Sequence, residues 1–450
     1  MRELRPYPEY RDVNADFLAQ IPRDWSLRPA VTLARVLTST VDKHSVDDQV
    51  PVQLCNYTDV YYNDVIRASN SYMKATASRD QVAAFSVIRG DVVFTKDSET
   101  ADDIGIPAYV VDTLPGVVYG YHLTTYRPSD LRYGKFLKWL LDSRYAKATF
   151  ETRTLGVTRV GLGQNTVRYL RVPTPPPDEA SLIGEFLDRE TAEIDAFIAD
   201  QEELIGLLAE RRAATISHAV TKGLDPTVPM KDSGVEWIGD VPAHWDIVQL
   251  RRLLDEPLKY GANESADSTD PGGIRYLRIT DFAINGALRD DTFRSLPIEI
   301  AASYMVRPGD VLLARSGATV GKAFLVPDDA PPSCFAGYLI RVSLQRAAMT
   351  PAFLFAYTQS LEFGGWRDAV AVSATIPNIG ADKYATLGVP TPPLAEQFQI
   401  MAFLDSEISK LDAAIADARK AIALSRERRA ALISAAVTGK IDVREHGAVA

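Results

Sequence analysis

Apolar and polar positions change their rhythm twice along this chain. Up to about residue 172 the apolar residues come in short β-rich runs bounded by Gly and Pro, such as Asp91–Lys96, which predicts strands joined by turns. After Pro173–Pro177 the period lengthens. Ile183, Leu187, Ile194, Ile198, Ile205 and Leu208 then form a stripe at helical spacing and predict one long helix. The same succession follows again. Val311–Ala314, Ala323–Pro327 and Tyr338–Leu344 read as strands, Phe136–Leu141 and Phe353–Thr358 as helices, and Leu404, Ile408, Leu411, Ile415 and Ile422 as a second long stripe. Gly223 and Gly439 stand where each long helix should stop. At 1.5 Å per residue, about 40 residues in each would make a rod roughly 60 Å long.

The residues themselves repeat. Ile21-Pro22-Arg23-Asp24-Trp25 returns as Val241-Pro242-Ala243-His244-Trp245, and Gly90-Asp91-Val92 as Gly309-Asp310-Val311. Pro173-Thr174-Pro175-Pro176 returns as Pro390-Thr391-Pro392-Pro393, Phe186-Leu187-Asp188 as Phe403-Leu404-Asp405, and Arg211-Arg212-Ala213-Ala214 as Arg428-Arg429-Ala430-Ala431. The offset falls from 220 at the first anchor to 217 at the later ones, so the length changes lie inside the globular parts while the helices keep register. Such a long period marks a duplicated domain, not a solenoid. The expected fold is mixed α+β: a globular α/β domain over 1–177, a long helix over 178–224, a second globular domain over 225–393, and a second long helix with its tail over 394–450. Two stripes at matching positions can bury each other as an antiparallel coiled coil with pseudo-twofold symmetry. The alternative is that each stripe packs on its own globular domain.

Composition narrows the class. The 450 residues are 46% hydrophobic and 24% charged, as in ordinary soluble globular proteins. The charged start Met1-Arg2-Glu3-Leu4-Arg5-Pro6 and the lack of an 18-residue uncharged apolar stretch lead us to expect no secretory or membrane-spanning segment. Cys55 and Cys334 alone make no disulfide framework, and with five His they offer no zinc spacing, so a reducing cytoplasm is expected. The net charge of −10 argues against nucleic acid until it is divided along the chain. Residues 173–225 carry 4 basic and 12 acidic residues, whereas 25–172 carry 18 and 15, and 246–389 carry 14 and 16. The acidity is concentrated on the central helix.

A search for catalytic chemistry comes back mostly empty. No Pro-Pro-Tyr or Pro-Pro-Phe methyltransferase motif and no Glu-x-Lys nuclease pattern occurs, and no His has an evident Ser or Cys partner. Gly317-Ala318-Thr319-Val320-Gly321-Lys322 is one residue short of a nucleotide-binding loop and lacks its Ser or Thr after the lysine. It does place Arg315, Ser316, Thr319 and Lys322 beside glycines, and hydroxyls, cations and close backbone suit phosphate oxygens. A plain hairpin turn is the competing reading. The matching first-copy segment holds Lys96 without the glycines. Tyr57, Tyr61, Tyr62, Tyr119, Tyr121 and His122 interleave aromatic and polar groups as base-contacting surfaces can, and Arg153, Arg159, Arg275 and Arg278 are further candidates. Strand tyrosines packed at a sheet edge are the alternative for the first group.

The ordered set of Pro-x-x-Trp segments, Gly-Asp-Val strands, a Gly-Ala-Thr-Val-Gly-Lys loop, Pro-Thr-Pro-Pro breaks and long helices resembles the specificity subunits of type I restriction–modification systems, from about Tyr10 to Lys440. The resemblance implies two target recognition domains that each read half of a split, asymmetric site on double-stranded DNA. It also implies paired helices that hold the domains apart, about one duplex turn of 34–36 Å, and dock two modification subunits. Those partners would bring S-adenosylmethionine, and restriction subunits would bring ATP, magnesium and cleavage; this chain would bind no cofactor and catalyse nothing. One departure stands out: the first copy has Lys96-Asp97-Ser98-Glu99 where the second has its glycine loop. The competing function is a noncatalytic coiled-coil adaptor joining two proteins.

Overall fold

The computed structural model describes residues 4–156, 158–265, 267–282, 288–371 and 377–446, so that Met1–Glu3 and the last four residues of the expected tail lie outside it. The chain is mixed α/β and divides into two compact units that are not consecutive in sequence. One comprises residues 1–201 and 420–450, the other 202–419. Each long helix is therefore shared: the central helix runs Pro177–Lys222 and the C-terminal helix Leu394–Val437.

In the first unit the buried strand Val92–Thr95 lies between Leu123–Pro128 and Pro107–Val110, antiparallel to both, and Ala34–Thr38 and Val65–Ile66 form the edges of the sheet. A second sheet pairs Val50–Cys55 with Leu114–Tyr119 in parallel. The second unit repeats this plan in shorter form. Val311–Ala314 lies between Leu339–Val342 and Ala323–Leu325, and Ile274–Leu277 runs parallel to Ser333–Phe335. The predicted helices are Gly134–Asp142 and Pro351–Tyr357. The Gly-Asp-Val motif has a structural task in both. Asp91 accepts the Arg127 guanidinium as a fork at 2.8 and 2.7 Å, and Asp310 accepts the Ser343 hydroxyl at 2.6 Å and the Arg307 amide at 2.8 Å. Buried carboxylates need such partners.

The Pro-x-x-Trp signature is explained by what the indole touches. Trp25 is buried between Tyr7 and Phe136 and donates to Glu179 Oε1 at 3.0 Å, in the first turn of the central helix. Trp245 donates to Glu396 Oε2 at 3.0 Å in the first turn of the C-terminal helix. Each tryptophan thus pins the start of its own copy's helix, where a carboxylate also meets the positive end of the helix dipole.

The helix ends cross over. In the first unit Ser434 Oγ of the C-terminal helix accepts the Arg144 amide at 3.0 Å, and Leu432, Ile433, Ala436 and Val437 join the core of Trp25, Phe136 and Ile183. In the second unit Ser217 Oγ of the central helix accepts the Leu361 amide at 2.7 Å, and Ile216, Ala219 and Val220 join the core of Trp245, Phe353 and Ile400. Both contacts are the same contact one repeat apart. An ion pair also repeats: Arg429 reaches Asp195 at 2.9 Å in the first unit, and Arg212 reaches Asp412 at 3.0 Å in the second. Each globular domain is closed by the start of its own helix, with Ile183 and Leu187 in the first core and Leu404 in the second, and by the end of the other's.

Candidate nucleic-acid interface

In the first unit a capped helical turn gathers the aromatics. Asn56 and Asp59 form a reciprocal cap on Tyr57–Tyr61, a usual way to satisfy the first amides of a helix. Tyr57 and Tyr61 stack with centroids 5.4 Å apart, Tyr61 meets Tyr62 edge-on at 4.9 Å, Tyr57 meets His122 edge-on at 6.3 Å, and His122 lies 3.8 Å from Tyr121. Five rings form one continuous run. Its outer member, Tyr62, is 76% exposed.

Polar groups brace this run. The Tyr61 hydroxyl donates to Asp103 at 2.8 Å, and that bond to a carboxylate pushes the phenol up to about 12. Burial raises the Tyr57 phenol as well, with a bond to Ser98 acting against it. Asp97 Oδ2 lies 2.7 Å from His122 Nδ1, and Asp97 Oδ1 lies 2.9 Å from Arg159 Nη2. Lys96 sits beside Asp97 in the backbone, accepting the Leu162 amide at 2.8 Å and donating its own to His122 at 3.0 Å. Seven of the residues singled out in the sequence therefore meet here: Tyr57, Tyr61, Tyr62, Tyr121, His122, Lys96 and Arg159.

Two first-unit expectations change. Tyr119, 1% exposed, ends a strand in register with Cys55 and donates to Asp91 at 2.8 Å, so it belongs to the core and can touch no ligand. Burial pushes its phenol well up. Arg153 does not join the ring run; its guanidinium turns to Asp16 at 2.8 Å on a cleft with Asn14 and Tyr169.

The second unit presents different chemistry. Arg315 follows the buried strand Val311–Ala314, and its guanidinium lies 4.7 Å over the Tyr260 ring. Ser316 bridges to Asn378, and Gly317–Thr319 forms a single 3₁₀ turn. Gly317 holds φ at +76°, which only glycine adopts at little cost, with open space on the side where a Cβ would stand. Lys322 is exposed and lines a cleft of about 490 Å³ together with Phe282, Phe324, Phe355 and Arg367. Loop hydroxyls, an open backbone and two cations occur together here without a carboxylate inside the loop.

Arg275 and Arg278 both turn to partners within the fold. Arg275 is 7% exposed and spends its guanidinium on the Arg289 carbonyl at 2.6 Å and Asp290 at 3.3 Å. Arg278 forks onto buried Asp281 and reaches the Thr292 carbonyl at 2.6 Å. Both clamp segment 289–292 onto strand Ile274–Leu277, a fate that their arginine identity alone could not reveal. Conversely, sequence reasoning passed over Asp97, the group that ties the first cluster together; its place between Lys96 and Ser98 was the available signal. Among the described residues no cluster of His, Cys, Asp and Glu could hold a metal ion, and no helix is long and apolar enough to cross a membrane.

Comparison with known proteins identifies this architecture. Residues 245–420 match the type I restriction modification DNA specificity domain. The specificity subunit of the type I restriction enzyme EcoBI of Escherichia coli is 24% identical over 65% of this chain and 63% of its own length. The putative MjaX specificity subunit of Methanocaldococcus jannaschii is 20% identical over 95% of this chain and 96% of its own. The crystal structure of the HsdS subunit from Thermoanaerobacter tengcongensis covers 93% of this chain and 98% of its own at a TM-score of 0.54 and 17% identity. A chain from a structural study of complex assembly and conformational transition of the type I R-M system covers 93% and 99% at a TM-score of 0.65 and 19% identity. The fold thus defines a class, duplicated α/β domains with shared long helices. Within it, the chain is similar to the specificity subunits of type I restriction–modification systems.

Proposed function

We propose that this chain is the DNA-reading subunit of a type I restriction–modification complex, with each globular domain recognising one half of an asymmetric bipartite site. The observation that carries the reading is one duplicated frame bearing two chemically different surfaces, the ring run with Asp97 and Arg159 in one unit and the glycine loop with Arg315 and Lys322 in the other. Identical frames give both domains the same way of docking, and different surfaces give different half-sites. The two long helices pair as an antiparallel coiled coil, supported by the repeated ion pairs, and dock two modification subunits. S-adenosylmethionine then belongs to those partners, and ATP with magnesium to restriction subunits, all in the cytoplasm. Neither surface carries a large excess of cations. Since neutralised phosphates supply most nonspecific affinity, the isolated chain should bind DNA weakly and with strong salt dependence. Mapping methylated adenines in a host genome with and without this chain tests the reading: a bipartite motif should vanish with the gene, and persistence of every motif would refute it.

A further inference from the structure

The surface of the first unit is unusual for a DNA contact because acids sit inside it. Asp97, whose side chain is 18% exposed, belongs to the short strand Asp97–Ser98, which pairs with Val160–Leu162 and through it with Thr154–Leu155. The hairpin between the last two strands turns at Gly156, whose φ of +118° excludes ordinary side chains, and Arg159 follows. One carboxylate therefore orients two groups at once: His122 through Nδ1 at 2.7 Å and Arg159 through Nη2 at 2.9 Å. A guanidinium has five N–H donors on three nitrogens, and this ion pair engages one nitrogen only. The Arg159 side chain is 55% exposed, close enough to Tyr57 to act on its phenol.

A fork held by Asp97, with Asp103 on the neighbouring tyrosine, is a poor seat for phosphate, since two carboxylates would face the incoming anion. It suits a neutral acceptor edge. Among base pairs, guanine alone offers two acceptors side by side in the major groove, O6 and N7, and arginine matches them with paired donors. We propose that Arg159, positioned by Asp97, reads a guanine in the half-site bound by the first unit. This rests on the DNA-reading function proposed above and names the chemistry of its first half. Asp97 is a positioning residue, acting through Arg159 and His122.

The test uses the full chain assembled with its modification subunits, on duplexes carrying the mapped bipartite site. Each guanine of the first half-site is replaced in turn by 7-deazaguanine, which lacks the N7 acceptor. At one position the wild type should lose about 5- to 150-fold in affinity. R159A should weaken the unmodified site by a similar factor and erase the difference between guanine and 7-deazaguanine there. R159K, a cation without the fork, should erase that discrimination too. D97N should blunt it while leaving binding to unrelated DNA undiminished, because a negative charge has been removed. Discrimination in the second half-site should stay at the wild-type level in all three variants, which separates loss of reading from loss of fold. The proposal is overturned if R159K restores full discrimination, as a phosphate contact would allow, or if no guanine in the first half-site responds. A wild-type complex that ignores both half-sites would instead refute the DNA-reading function, and this proposal with it.

Discussion

The ring run of the first unit and the loop of the second grow from equivalent strands, Val92–Thr95 and Val311–Ala314, yet they reach opposite chemical solutions. After the first strand comes a carboxylate, Asp97, which fixes an arginine and a histidine against stacked tyrosines. After the second comes a glycine turn with Arg315 laid over Tyr260 and Lys322 free to face solvent. Beneath both, the frame is the same: an indole on a helix-start glutamate and a serine from the other copy's helix on a globular-domain helix. Duplication kept the groups that hold the fold and let the solvent-facing ones diverge.

The largest effects should come from breaking the frame, and they should be alike in the two copies. W25A and W245A each remove a buried indole and one donor to a helix-start glutamate, and each should cost about 3–5 kcal/mol in urea unfolding of the full chain. A cost confined to one copy would show that the frames are not equivalent. Next in size is the loop. K322A should weaken binding of the assembled complex to all duplexes alike and lower the salt slope by about one, as for loss of a phosphate contact. A change in base preference would place Lys322 among the readers and erase the contrast with Arg159.

Two neighbouring tyrosines give a smaller and sharper test. Y119F removes a buried hydroxyl bond to Asp91 and should cost about 1 kcal/mol of stability without touching DNA binding. Y121A should do the reverse, sparing stability and weakening the complex. Equal effects would mean that the ring run is only core. The smallest effect concerns Lys138, buried beside Trp139 with one ion pair, to Asp64 at 3.5 Å, where the second copy has Phe355. Burial holds its ammonium pKa below the ordinary value. A lowered lysine pKa means that the folded state binds fewer protons than the unfolded one between the two values, so stability rises with pH across that window. K138M should therefore be more stable than the wild type near neutrality, by about 1 kcal/mol. That advantage should shrink as pH climbs toward the ordinary lysine range, which melting curves at two pH values would show.

How much was legible in advance differs by scale. The duplication, both long helices and the strands around the Gly-Asp-Val motif could be read directly, because they rest on local periodicity and on copied residues. Tyr119 and Tyr121 look equivalent in the sequence, yet one is core and the other half-buried in the ring run, since burial was decided by the pairing of Leu114–Tyr119 with Val50–Cys55. Arg275 and Arg159 look equivalent too. One clamps a loop and the other is presented by a turn.

By itself, then, the order of residues determined that the chain holds two copies of one plan, where each copy bends and stops, and which faces of the helices are apolar, because backbone propensity and periodicity act over a few neighbouring residues. Only the tertiary structure decided that each domain is closed by the other copy's helix end, that Asp97 governs Arg159 and His122, and that Arg275 and Arg278 serve the fold. Those outcomes depend on groups brought together from far apart in the chain, and a side chain's chemistry is set by the partner it meets.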